Sequence, residues 1–152
     1  MKASLNTEST RVNVAIFAPR IEIIQQVVAN HYSLTLEETK EHKRKGSSIK
    51  ARQRIHYFCK ELLSRENATY KCPLSVIGLL TGNGVAWDHS TILHGHKKVM
   101  EQLTFKNRAG VLVYPDVLAD VTQLRDEILN RFEAARAEPT VKRCPTCHQI
   151  IP

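Results

Sequence analysis

The chain has 152 residues, 42% hydrophobic and 24% charged, which fits one ordinary domain or one small domain with appendages. At that length a core forms without disulfides, no apolar run approaches the roughly 20 residues of a bilayer span, and residues 1–8 lack a secretory leader, so a cytoplasmic protein is expected. A net charge of +7 and a pI near 9.4 point to a polyanionic partner, nucleic acid or an anionic membrane surface, with a merely solvated basic face as the alternative.

Residues 1–20 read as an N-terminal arm. Within it Val12, Val14 and Ile16 alternate with smaller or polar residues, the pattern of a short strand over 12–17 closed off by Pro19. From Ile21 the period becomes helical, with Ile21, Ile24, Val28 and Tyr32 three and four residues apart. Thr35 and Glu38 have capping-box spacing, so a short helix starts there and runs into a basic loop, Lys43-Arg44-Lys45-Gly46. Ser47 or Ser48 then caps a longer helix to about Ser64, with Ala51, Ile55, Phe58 and Leu62 as its buried stripe and Cys59 beside them. After a loop over 65–71, Pro73 opens a short helix whose inward side is Leu74, Ile77 and Leu80. Thr81-Gly82-Asn83-Gly84-Val85-Ala86 is a turn, and Asp88 is a good N-cap for a helix to about Leu103. A helix, a glycine-bearing turn and a capped second helix are the order of a helix-turn-helix. Residues 104–110 form a linker and 111–114 a second short strand. An amphipathic helix over 116–138 then carries Val117, Val121, Leu124, Ile128 and Phe132 on one stripe.

On a helical wheel, Ile92, His96, Val99 and Leu103 face the core. Ser90, Thr91, His94 and Lys98 face outward, with Lys97 at the edge. Short polar side chains in the first turns suit a helix entering the major groove by its N-terminus, where they reach base edges. Asp88 caps such a helix and can accept from a cytosine amine, while the lysines meet flanking phosphates. The alternative is an ordinary solvated helix face.

Asp88-His89-Ser90-Thr91-Ile92-Leu93-His94, followed by Lys98, resembles the signature of the C-terminal DNA-binding domain of the bacterial replication initiator DnaA. Residues 24–32, the basic loop with Ser47-Ser48-Ile49-Lys50-Ala51-Arg52-Gln53, and Leu74-Ser75-Val76-Ile77-Gly78 resemble the family's preceding segments in order and spacing, so the resemblance covers about 21–104. It implies a mainly α fold, a helix-turn-helix bundle of the DnaA C-terminal or Trp-repressor-like type. It also implies His89, Ser90 and Thr91 at base edges with Asp88, His94 and Lys98 at phosphates, and Arg52 near the DNA backbone. Lys45 lies in the basic loop, where the family inserts an arginine into the minor groove, and Lys43, Arg44, Lys50 and Lys97 are further candidate DNA contacts. Trp87 stands where the family has a DNA-touching arginine, and lysines replace arginines in the loop; lysine cannot form the same bidentate fork. The sequence has no Gly-x-x-x-x-Gly-Lys-(Ser/Thr) loop, so ATP hydrolysis is not expected.

Residues 105–152 lie outside the resemblance. The helix over 116–138 either packs on the body or pairs two chains as a homodimer. Cys144-Pro145-Thr146-Cys147 resembles one knuckle of a zinc ribbon, with the missing pair of ligands from a second chain, or one of them from Cys72, unless the tail carries no metal. The chain is therefore read as an arm over 1–20, a DNA-binding domain over 21–104 and an extension over 105–152. Its expected role is sequence-specific double-stranded DNA binding, as a regulator or accessory factor in replication initiation or transcription, with no enzymatic activity and no membrane partner. The alternative is a protein-interaction module assembled through the zinc-binding tail. An enzyme is the weaker class because His89, Ser90 and His94 share one helix with no pocket implied.

Overall fold

Asn13, Phe17, Ile21, Ile24 and Val28 recur at helical spacing, and all five are buried in the computed structural model, which describes residues 8–41, 46–63 and 72–137. They lie on one continuous helix, α1 (Glu8–His31). The strand expected over 12–17 is therefore the first half of that helix, and α1 runs straight across residue 20, where the arm was expected to end. The alternating residues misled because no strand lies beside them to pair with: Val12 and Ile16 remain 46% and 40% exposed. Pro19 sits inside α1 on its exposed side, so the ladder bond lost at its ring nitrogen faces water. Residues 11–31 are long and apolar enough to cross a membrane by length and composition only, and their apolar stripe is buried in the core of this fold.

α1 ends in a Schellman motif. Ser33 takes a left-handed φ of 55°, its amide donates to the Asn30 carbonyl at 3.2 Å, and the Leu34 amide donates to the Ala29 carbonyl at 2.8 Å. Two residues later Thr35 caps α2 (Leu36–Lys40) through the expected box: its hydroxyl accepts from the Glu38 amide at 3.1 Å, and the Glu38 carboxylate accepts from the Thr35 amide at 3.4 Å.

α3 (Gly46–Leu62) is the central helix and touches α1, α2, α4 (Leu74–Thr81) and α5 (His89–Thr104). Its buried face carries Ala51, Ile55, Phe58 and Cys59, so Cys59 is a core residue as expected. On α4, Val76, Ile77 and Gly78 are fully buried, while Leu74 and Leu80 pack at the margin of the core.

α6 (Pro115–Ala137) lies on α1 and α5. Val117, Val121, Leu124 and Ile128 are buried in the common core and Phe132 packs against it. A dimer seam on that stripe would need side chains already used inside one chain, so the stripe packs on the body instead. The remaining expected strand, 111–114, is reduced to one antiparallel bridge between Lys106 and Leu112. The Asn107 side chain closes this small hairpin by accepting from the Ala109 and Val111 amides at 2.9 and 3.1 Å. Among the described residues there is no longer strand because five residues leave no partner beyond the bridge.

A polar cluster anchors the added helix. The Asp120 carboxylate on α6 accepts from Tyr32 Oη, bonds His31 Nε2 and lies 3.5 Å from Arg54 Nε. Arg54 is only 4% exposed, so Asp120 is the charge that makes its burial tolerable. Burial and the bond to Asp120 push the Tyr32 hydroxyl well above the ordinary tyrosine range.

Candidate nucleic-acid interface

The tight crossing of α4 and α5 begins with Gly78. A Cβ there would meet the Trp87 carbonyl oxygen at 2.4 Å, so only glycine lets the turn return this closely. The chain reverses through residues 82–88, with Gly84 at a left-handed φ of 73°. Trp87 closes the turn. Its amide donates to the Gly78 carbonyl at 3.0 Å and its indole N–H to the Thr81 carbonyl at 2.9 Å. Thr81 Oγ1 donates to the Ile77 carbonyl at 2.6 Å and lies 3.3 Å from His56 Nε2. Burial, reinforced by the charge of Arg52, drives the His56 pKa down to about 3, so this imidazole is neutral at ordinary pH.

This frame fixes α5. Ile92 and Val99 anchor it in the core, and Gly95 is buried against Gln53 and His56 of α3. His96, expected to face the core, reaches the rim instead: its Nε2 is 2.6 Å from Glu61 Oε1 and its ring stacks on Tyr57 at 5.4 Å. The outward stripe is exposed at Ser90, His94, Lys97 and Lys98, with His89 beside it and Thr91 half-buried. Asp88 adopts the N-cap backbone conformation, but its carboxylate accepts from the Ser90 hydroxyl at 2.6 Å rather than from a cap amide. That hydroxyl is the main cause holding the exposed Asp88 carboxyl below its ordinary range. At the helix start, His89, Ser90 and Asp88 thus present acceptors and donors to solvent within one turn. Lys97 forms a loose pair with Glu101 at 3.9 Å, of little energetic weight on an exposed face.

Lys50 is exposed in the second turn of α3 and borders, with Lys98, a groove of about 650 Å³. Gln53 and Gln102 line the same groove, together with the acidic Asp116 and Asp120. Arg52 is half-buried, its guanidinium 4.5 Å from the centre of the Trp87 ring and its Nη1 donating to the Glu41 carbonyl at 3.2 Å. Lys43, Arg44 and Lys45 lie outside the described residues, as do Cys144 and Cys147. Cys72, the suggested extra zinc ligand, is buried, and burial pushes its thiol up to about 12. Among the described residues, no three histidine, cysteine or acidic side chains gather as a metal site.

The fold and the exposed stripe agree with what the chain is similar to. Residues 21–99, just over half of the chain, match the family described as bacterial dnaA protein helix-turn-helix. The chain is 35% identical over 83 residues to the chromosomal replication initiator protein DnaA of Citrifermentans bemidjiense, a match covering 55% of this chain and 16% of that protein. The DnaA of Treponema denticola is 32% identical over 83 residues, again 55% of this chain and 16% of the relative. That of Latilactobacillus sakei is 31% identical over 100 residues, 66% of this chain and 18% of the relative. The chain thus spans less than a fifth of the length of these curated relatives. No solved structure matches. The chain belongs to the bacterial DnaA helix-turn-helix family.

Proposed function

We propose that this protein binds double-stranded DNA sequence-specifically through α5 and serves as a regulator or accessory factor in replication initiation, a non-catalytic role exercised in the cytoplasm. The observation that carries the reading is the exposed stripe of Ser90, His94 and Lys98 on a helix whose start is held in place by Trp87 and Gly78. His89, Ser90 and Thr91, with Asp88, lie in the first turn, where side chains of a groove-inserted helix reach base edges. On this reading His94, Lys97, Lys98 and Lys50 meet phosphates on either side, and Lys43, Arg44 and Lys45 add further basic contacts. Occupying an initiator's binding sites as a competitor would need nothing beyond this surface.

Selection of bound duplexes from a random pool tests the reading directly. The wild-type chain should enrich a defined sequence. His89→Ala with Thr91→Ala should lower discrimination between the selected and a scrambled duplex, each lost base contact contributing about 1–3 kcal/mol. Undiminished discrimination in the double variant would remove α5 as the reader.

A further inference from the structure

We infer that Arg52 is a positioning residue rather than a phosphate contact: lying over the Trp87 ring and bonded to the Glu41 carbonyl, it ties the C-cap of α2 to the turn of the helix-turn-helix, and so sets sequence discrimination. The inference rests on the proposed DNA binding and gives one of its expected backbone contacts a different task.

Two separate parts of the chain meet at this side chain. Glu41 is the last described residue before the basic loop, and its carbonyl accepts from Arg52 Nη1. Trp87 immediately precedes Asp88, the N-cap of α5, and its indole offers its face to the guanidinium. Trp87 is itself immobilised by its bonds to the Gly78 and Thr81 carbonyls. A cation resting on it is therefore referenced to the turn and not to a mobile ring.

Arginine suits both tasks at once because its planar group stacks through its face while donating hydrogen bonds from its edge. Lysine offers one compact ammonium and cannot do both. Trp87 leads directly into Asp88, so the brace on its ring fixes how the first turn of α5 meets a duplex. Such a brace acts on discrimination more than on attraction to phosphates.

The chain has a single tryptophan, so its emission reports on this joint without DNA. Arg52→Ala should shift the emission to the red and raise quenching by acrylamide, with an unchanged helical circular-dichroism spectrum. Arg52→Lys should resemble it. On DNA, both variants should lose about tenfold of the ratio between the affinities for the pool-selected and scrambled duplexes. The slope of log K against log salt should stay at the wild-type value. A phosphate-contacting Arg52 predicts the reverse: a slope smaller by about 0.9 in Arg52→Ala, with lysine restoring it. That pattern, or an unchanged tryptophan emission in both variants, overturns the inference. A wild-type chain that binds no duplex preferentially overturns sequence-specific binding itself, and the emission experiment still tells whether the joint exists.

Discussion

Replacing Gly78 by alanine tests the geometry on which the whole recognition surface depends. The new Cβ would lie 2.4 Å from the Trp87 carbonyl oxygen, and ordinary contact begins near 3.4 Å, so α4 and the turn must part by about 1 Å. Overpacking of this kind costs about 1–3 kcal/mol, and weakening the 3.0 Å bond from the Trp87 amide to the Gly78 carbonyl adds about 1 kcal/mol. Against this, alanine gains about 1 kcal/mol over glycine inside a helix. The expected net loss is about 1–3 kcal/mol. Urea unfolding followed by Trp87 emission and by circular dichroism measures it, and the emission of the folded variant should already differ, since the carbonyl that moves is that of the tryptophan. A Gly78→Ala chain as stable as the wild type, with unaltered emission, would refute the close approach and the argument for why glycine stands there.

Asp120→Ala removes the acceptor shared by His31, Tyr32 and Arg54 and leaves a buried guanidinium without its carboxylate, so a loss of about 3 kcal/mol is expected in chemical denaturation, against under about 0.5 kcal/mol for the exposed Asp126→Ala. Equal effects would mean that the cluster does not hold α6. The depressed pKa of His56 makes a pH prediction whose sign is fixed: between its ordinary value of 6.5 and about 3 the unfolded chain binds the proton and the folded one does not. Stability is full above pH 6.5 and should fall as pH drops toward 3, and His56→Gln should flatten that part of a melting-temperature profile. Lys98→Ala should reduce the salt slope of DNA binding by about 0.9, and an unchanged slope would leave Lys98 as a solvated face.

Local chemistry made much of this molecule legible. The Thr35–Glu38 box, the Asp88 N-cap position and the glycine-bearing turn each depend on a few neighbouring residues, and all three are present as read. The outward side of α5 follows from helical period alone once the helix is placed. The failures have a common cause. Val12, Val14 and Ile16 alternate as a strand would, yet Asn13 and Phe17 continue the helical stripe of Ile21 and Ile24, and only the presence of α3, α4 and α6 to bury that stripe decides between the periods. The Schellman end at Ser33 was hidden because serine, not glycine, takes the left-handed position there.

The amino-acid sequence by itself determined the helical class, the helix-turn-helix order and the side chains offered at the start of α5, because capping, turn chemistry and amphipathic period act over a few residues. Tertiary structure alone decided three other things. The stripe of α6 packs within its own chain, Trp87 serves as the keystone of the turn, and Arg52 turns toward that ring and the Glu41 carbonyl. Those outcomes depend on which surfaces meet across long stretches of chain, and no local pattern encodes the partner of a stripe, a ring or a guanidinium.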